Sequence, residues 1–336
     1  MKHTKRRRLI FLTFFNIFLL AILIACTGLI NRCDRFNRTE NTNQDELKND
    51  SLVENQHTGV PLDNAVEKSM PDAEEKSAAD QEAEQIPDAL AQDTGSKYSI
   101  VPYYKPENDF RYEKYGLINP GLDDKRIVTD VNIGLDNPFY GLIKEIQNHN
   151  DITVLVNKYN KLPDNYEPEL ERLEECYCVP GRGAQHLRKE AADAFIKMHK
   201  DAKKEGLNIT AYGTYRSIST QQRIWENAIN SGRTQENVDS LNSRGGHSEH
   251  HTGLAVDVVI NDYSVLDTKE YQWYKDRAHE YGFIIRYPEG KENITGYKYE
   301  PWHLRYVGPE IAQEVYSSGL TYEEYYVTVI EPNMQN

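Results

Sequence analysis

Ser248-Glu249-His250-His251-Thr252-Gly253-Leu254-Ala255-Val256-Asp257, answered further on by Glu300-Pro301-Trp302-His303, is the stretch around which the chain is organised. Two imidazoles and one short carboxylate make a metal-ligand set. Nitrogen and oxygen donors of this kind suit zinc, and three protein ligands leave a fourth position open for water. A Glu three residues before a liganding His can sit beside that water and take its proton. Spacing alone leaves open which of His247, His250 and His251 joins Asp257 and His303. Any one His is most often structural; the His-x6-Asp pair combined with a distant Glu-x-x-His is what makes the pattern specific.

The flanking sequence frames these residues. Leu254 to Ile260 is rich in β-formers and carries Asp257, with Gly253 allowing a turn after His250. His303 to Val307 reads as a last strand, followed by two short helices to Tyr326. Phe283 to Arg286 is another strand, after a helix capped by Asp267 and Glu270 and ended by Gly282. Upstream, Asn208 to Tyr215 reads as a strand delivering Arg216 to the start of a helix. Ser219 with Gln222 has the capping-box pattern there. A cation beside a helix amino terminus suits an anionic substrate group. Leu187, Ala191, Ala194, Phe195, Met198 and Ala202 recur at helical spacing and form a core stripe, bordered by the structural histidines His186 and His199. Thr153 to Val156 reads as a strand, Asn132 to Tyr140 as extended, and Arg233 to Gly246 as a long loop at the mouth of the site. Strands separated by helices and long loops predict an α+β fold, with a mostly antiparallel sheet and flanking helices.

Ser-x-His-x-x-Gly-x-Ala-x-Asp at 248–257, Glu-x-Trp-His at 300–303 and Tyr-Arg-Ser-x-x-x-Gln at 215–221 together resemble the VanY-type D-alanyl-D-alanine carboxypeptidases, zinc peptidases of the hedgehog/DD-peptidase fold. The phrase Leu155 to Leu162 resembles the entry to that domain. The resemblance covers residues 130 to 326. It implies zinc on His250, Asp257 and His303, Glu300 as general base and then acid, and Arg216 at the substrate carbonyl or terminal carboxylate. It further implies Ser248 and Gln221 as substrate contacts, and Trp302 packed beside the metal. The implied substrate is a peptidoglycan stem peptide ending in D-Ala. Two alternatives stay in the same fold, an L,D-carboxypeptidase and a peptidoglycan endopeptidase. A third is a wall-binding module without turnover.

The remainder of the chain bounds where this chemistry operates. A net charge of −14 over 336 residues, with no basic run in the domain, argues against a nucleic-acid partner. Lys5-Arg6-Arg7-Arg8 precedes the apolar run Leu9 to Ile30, which at ~1.5 Å per residue is long enough for a bilayer core. Residues 1–30 are therefore expected to be a membrane anchor with the domain outside the cell. Alternatively, Leu23-Ile24-Ala25-Cys26 is a lipoprotein signal with lipid on Cys26. Residues 31–97 are acidic and poor in large apolar side chains, as expected of a disordered linker. An aromatic-rich prefix at 98–145, holding Tyr103, Tyr104, Phe110, Tyr112 and Tyr115, should precede a zinc peptidase domain at 146–330. Four cysteines are too few for a disulfide framework, and Cys176 and Cys178 read as free thiols. The expected protein is a monomer in a bacterial cell membrane.

Overall fold

A four-stranded sheet carries the site. Its strands are β1 (Ala211–Gly213), β2 (Ala255–Val258), β3 (Phe283–Tyr287) and β4 (Glu300–Tyr306). They lie in the order β1-β2-β4-β3, and every neighbouring pair is antiparallel. The computed structural model describes residues 95–334. The expected anchor at 1–30, Cys26 included, and nearly all of the linker at 31–97 lie outside those residues. Among the described residues no helix is long and apolar enough to cross a membrane.

Among the described residues six helices have eight residues or more: α1 (Asp109–Ile118), α2 (Asp124–Ile133), α3 (Lys189–Lys204), α4 (Ile218–Asn230), α5 (Lys269–Arg277) and α6 (Pro309–Ser318). The stripe on α3 does what its spacing predicts. Ala191, Phe195, Met198 and Ala202 are buried and join Val256, Val258, Phe283, Leu304 and Tyr274 in the main core. Burying a side chain such as Phe195 or Met198 stabilises the fold by ~1.5–3 kcal/mol. A second cluster, with Leu155, Ile284, Val307, Ala312, Val315 and Tyr322, fills the space between the sheet and α6. The aromatic prefix packs as a lobe around Tyr98, Tyr112, Ile127 and Val131. Arg126–Glu324 and Lys105–Glu331 ion pairs tie it to the C-terminal helical segment.

Several local expectations are corrected. Thr153 to Val156 forms no strand. Its apolar side chains are buried, but the Val154 carbonyl accepts from the Arg305 guanidinium instead of from a neighbouring strand. Asn132 and Ile133 belong to α2, which ends where Gly134 takes the left-handed conformation at φ 109°. Ser217, not Ser219, caps α4 by accepting from the Thr220 N–H, which brings the helix start next to Arg216. Thr268, not Asp267, caps α5. The expected loop at 233–246 contains a short helix, Gln235–Asp239, capped by Thr234. β4 begins at Glu300, earlier than the sequence pattern suggests, because Glu300 pairs with Tyr287 across the sheet.

Candidate metal centre and active site

Cross-strand register brings the ligand candidates together. Asp257 on β2 stands directly opposite His303 on β4, and Gly213 on β1 stands opposite Asp257 on its other side. Side chains in one row of a sheet share a face, so this register puts the carboxylate and the imidazole side by side. A Cβ at Gly213 would lie 3.2 Å from Asp257 Oδ2, close enough to press on the carboxylate. His250 arrives from the 3₁₀ turn Glu249–Thr252, which is closed by Gly253 at φ 68°. The ligating atoms of His250, Asp257 and His303 all lie within 4.8 Å of one another, and all three residues are buried.

The donors are oriented for a cation. His250 Nδ1 donates to the Thr214 carbonyl at 2.7 Å, which leaves its Nε2 bare and 3.5 Å from Asp257 Oδ2. His303 turns the opposite ring nitrogen inward: Nδ1 is 3.1 Å from Asp257 Oδ1 and 3.8 Å from Glu300 Oε2. Bare nitrogens and carboxylate oxygens at these distances repel unless a proton or a cation lies among them. The donor set fits zinc by that criterion and by its two-imidazole, one-carboxylate composition. Without an ion, burial disfavours the charge on His303. Hydrogen bonds to Asp257 and Glu249 override it and hold the imidazole up at about 9. Burial also opposes charge on Asp257, but His250 and His303 beside it keep its carboxyl well below the usual range.

His247 and His251, which spacing left in contention, are committed elsewhere. His247 Nδ1 donates to the Asn157 carbonyl at 2.8 Å. His251 Nδ1 donates to the Arg216 carbonyl at 2.6 Å, while its Nε2 accepts from the Gly246 N–H. His251 thus anchors the backbone of Arg216, whose own N–H donates to the His250 carbonyl at 3.1 Å. Two motifs far apart in sequence are stitched together in this way. His199, read as structural, is buried with Nδ1 on the Ile209 carbonyl. Cys176 and Cys178 are both free thiols, the first exposed and the second buried, and belong to no metal cluster among the described residues.

A cavity of about 280 Å³ opens onto this centre, and it is lined by all of the residues singled out from sequence: Arg216, Gln221, Ser248, His250, Asp257, Glu300, Trp302 and His303. Arg216 Nη1 donates to Gln221 Oε1 at 2.6 Å, and Gln221 Nε2 donates to the Ser243 carbonyl at 2.7 Å. Ser248 spends its hydroxyl oxygen accepting from the His250 N–H. Trp302 lies edge-on to Tyr263 at 5.4 Å between ring centroids. Burial pushes the Glu300 carboxyl up to about 7, a value suited to taking and returning a proton near neutrality.

Three supporting residues, and the two arginines that hold one of them, were missed from sequence. Asn261 donates to Asp257 Oδ2 at 3.0 Å. Tyr287 packs its ring 5.0 Å from that of His303. Glu249 lies completely buried under the site against Arg286 and Arg305. One signal was available: Arg286 and Arg305 each interrupt an apolar strand, and a charge there needs a buried partner.

Residues 184–309 match the family model described as VanY, D-alanyl-D-alanine carboxypeptidase. YodJ of Bacillus subtilis (strain 168), a protein named as a carboxypeptidase, is 40% identical over 222 residues, covering 62% of this chain and 81% of the relative. The solved structure of the LdcB LD-carboxypeptidase is 41% identical, with a TM-score of 0.53, covering 56% of this chain and 91% of that one. A vancomycin-resistance D,D-pentapeptidase VanY, solved in complex with Zn(II), is 32% identical over 52% of this chain and 97% of that chain, with a TM-score of 0.44. The chain belongs to the VanY family of D-alanyl-D-alanine carboxypeptidases.

Proposed function

We infer that this chain is a zinc-dependent D-alanyl-D-alanine carboxypeptidase that removes the terminal D-Ala from peptidoglycan stem peptides. One observation carries the inference: the buried three-donor cluster, Glu300 and Arg216 all face a single cavity. His250 through Nε2, His303 through Nδ1 and Asp257 would hold the zinc. When bound, the ion supplies Lewis acidity, lowering the pKa of water and polarising a carbonyl.

The chain's own groups do the rest. Glu300 accepts the proton of the attacking water and returns it to the departing amine of D-Ala. Arg216 presents its planar fork to the terminal carboxylate, a match that a carboxypeptidase needs and an endopeptidase does not. Gln221 holds that fork by its short hydrogen bond, and α4 adds the positive end of its dipole just behind it. Ser248 acts through His250, whose N–H it caps. Trp302 and Tyr263 form an aromatic wall beside the cluster.

A second specificity is favoured by the likeness to the LD-carboxypeptidase LdcB: cleavage of the L,D bond before the D-Ala of a tetrapeptide. Incubating zinc-loaded protein with pentapeptide, tetrapeptide and cross-linked stems, and weighing the products, tests both. Loss of one D-Ala from the pentapeptide is expected. Cleavage of the tetrapeptide alone makes it an L,D-carboxypeptidase, opened cross-links an endopeptidase, and no product with zinc bound a binding module. We further propose that the enzyme is monomeric and works outside the cell, held to the membrane by residues 1–30 or by lipid on Cys26.

A further inference from the structure

We propose that Glu249 is a positioning residue for the metal centre: it fixes the tautomer of His303 so that Nδ1, and not Nε2, faces the ion. This rests on the proposed zinc peptidase function. The geometry is specific. Glu249 Oε1 accepts from Arg286 Nε and from Arg305 Nη1, each at 2.7 Å. Its other oxygen, Oε2, lies 3.4 Å from His303 Nε2, at the long end for a hydrogen bond. Two guanidiniums saturate one carboxylate oxygen and leave the second for the imidazole.

The carboxylate cannot rotate away. Arg286 is locked by a two-pronged pair with Glu323, at 2.8 and 2.6 Å. Arg305 is locked by the carbonyls of Val154 and Ile152, at 2.7 and 3.0 Å. All four charged side chains are essentially without solvent contact. Two acids balance two bases, so the network is neutral without drawing on His303. An ionised carboxylate offers only acceptors, so Nε2 must carry a proton and Nδ1 keeps its lone pair for the site. Burying such a network is costly, and apolar residues of similar volume would often stabilise the fold as well. A role in holding the ligand accounts for its presence. Acceptors behind metal-bound histidines set ring orientation, and losing one typically costs 10–100-fold in metal affinity.

Glu249→Gln discriminates this role from simple structural support. The two arginines can only donate, so the amide oxygen of Gln must turn to them and its NH2 to His303. Nε2 is then forced to accept, and the proton moves to Nδ1, where it blocks the ion. The expected result is a fall in zinc affinity of at least tenfold, measured by chelator competition on protein shown to be folded by circular dichroism. Cobalt-loaded variant should show an altered visible spectrum. Glu249→Asp keeps the charge for the arginines and should lose less than Gln does. Long-range 1H–15N correlation spectra of the zinc-loaded native protein give a reading that no variant's misfolding can spoil. They should show His303 protonated at Nε2.

Native-like zinc affinity and cobalt spectrum in folded Glu249→Gln, or a proton on Nδ1 in the zinc-loaded native protein, would overturn the proposal while leaving the peptidase function standing. Failure of the native protein itself to bind zinc would remove both.

Discussion

Asn261 Nδ2 donates to Asp257 Oδ2 at 3.0 Å, four residues along the chain, across a turn in which Val259 adopts φ 65°. A β-branched residue in the left-handed region costs on the order of 1–3 kcal/mol. The Val259 N–H bonded to the Thr210 carbonyl holds the turn in place. The strain returns Asn261 to the ligand carboxylate. Asn261→Ala should therefore weaken zinc binding by about tenfold or more, with little change in the melting temperature of zinc-free protein. Equal zinc affinity in chelator competition would show that Asp257 is held without it.

Glu300→Gln should keep zinc but lower kcat by at least ~100-fold, the low end for losing a general acid–base. A near-normal rate would remove Glu300 from the mechanism. His303→Ala should lose stoichiometric zinc altogether, measured by metal analysis after gel filtration. Retention of the metal would point to a ligand outside the cluster.

The hold of Gln221 on Arg216 predicts a split between binding and turnover. Hydrogen bonds to charged groups contribute ~1.5–3 kcal/mol. Gln221→Ala should raise KM for the pentapeptide about tenfold or more, with a smaller effect on kcat. An unchanged KM would mean that Arg216 is held in place by its backbone contacts alone.

Zinc binding should be proton-linked. In the metal-free chain His303 titrates at about 9, so at pH 7 it carries a proton that the ion must displace. Apparent zinc affinity should rise as pH goes from 7 to 9 and flatten above that. Calorimetry in buffers of different ionisation enthalpy should record about one proton released from His303 at pH 7, plus a fraction from Glu300. A pH-independent affinity over this window would contradict the arrangement.

His247 gives a stability prediction of known sign. Burial is the main cause that lowers its pKa to about 4, against a hydrogen bond to the Asn157 carbonyl that raises it. The unfolded chain therefore binds a proton in the window from about 6.5 down to about 4 that the folded chain refuses. Stability is full above that window and falls as pH drops through it, by on the order of 3 kcal/mol for this group. Urea midpoints of zinc-free protein at pH 7.5 and 5 should differ less in His247→Gln than in the native chain. Equal differences would place the acid sensitivity elsewhere.

Much of the site was legible because metal chemistry restricts residue types. The candidates His250, Asp257, Glu300, His303 and Arg216 could be found as letters, and the structure gathers all of them around one cavity. Helix α3 was legible because its stripe repeats at the helical period. The run Thr153 to Val156 misled for the opposite reason: buried apolar residues look alike whether or not a strand partner exists. The caps at Ser217 and Thr268 were misplaced by one or two residues, since neighbouring Ser, Thr and Asp side chains compete for the same orphan N–H groups.

What the amino-acid sequence determined by itself was the family, the α+β class and the candidate site residues, because each depends on residue types at fixed intervals. The family motif pointed to His250; only the tertiary structure showed His247 and His251 committed to backbone partners, turned a different ring nitrogen of His250 and of His303 toward Asp257, and disclosed Glu249 beneath them. Those outcomes depend on register across β2 and β4 and on which carbonyl or carboxylate each imidazole meets. Contacts of that kind join residues far apart along the chain, where no local pattern records them.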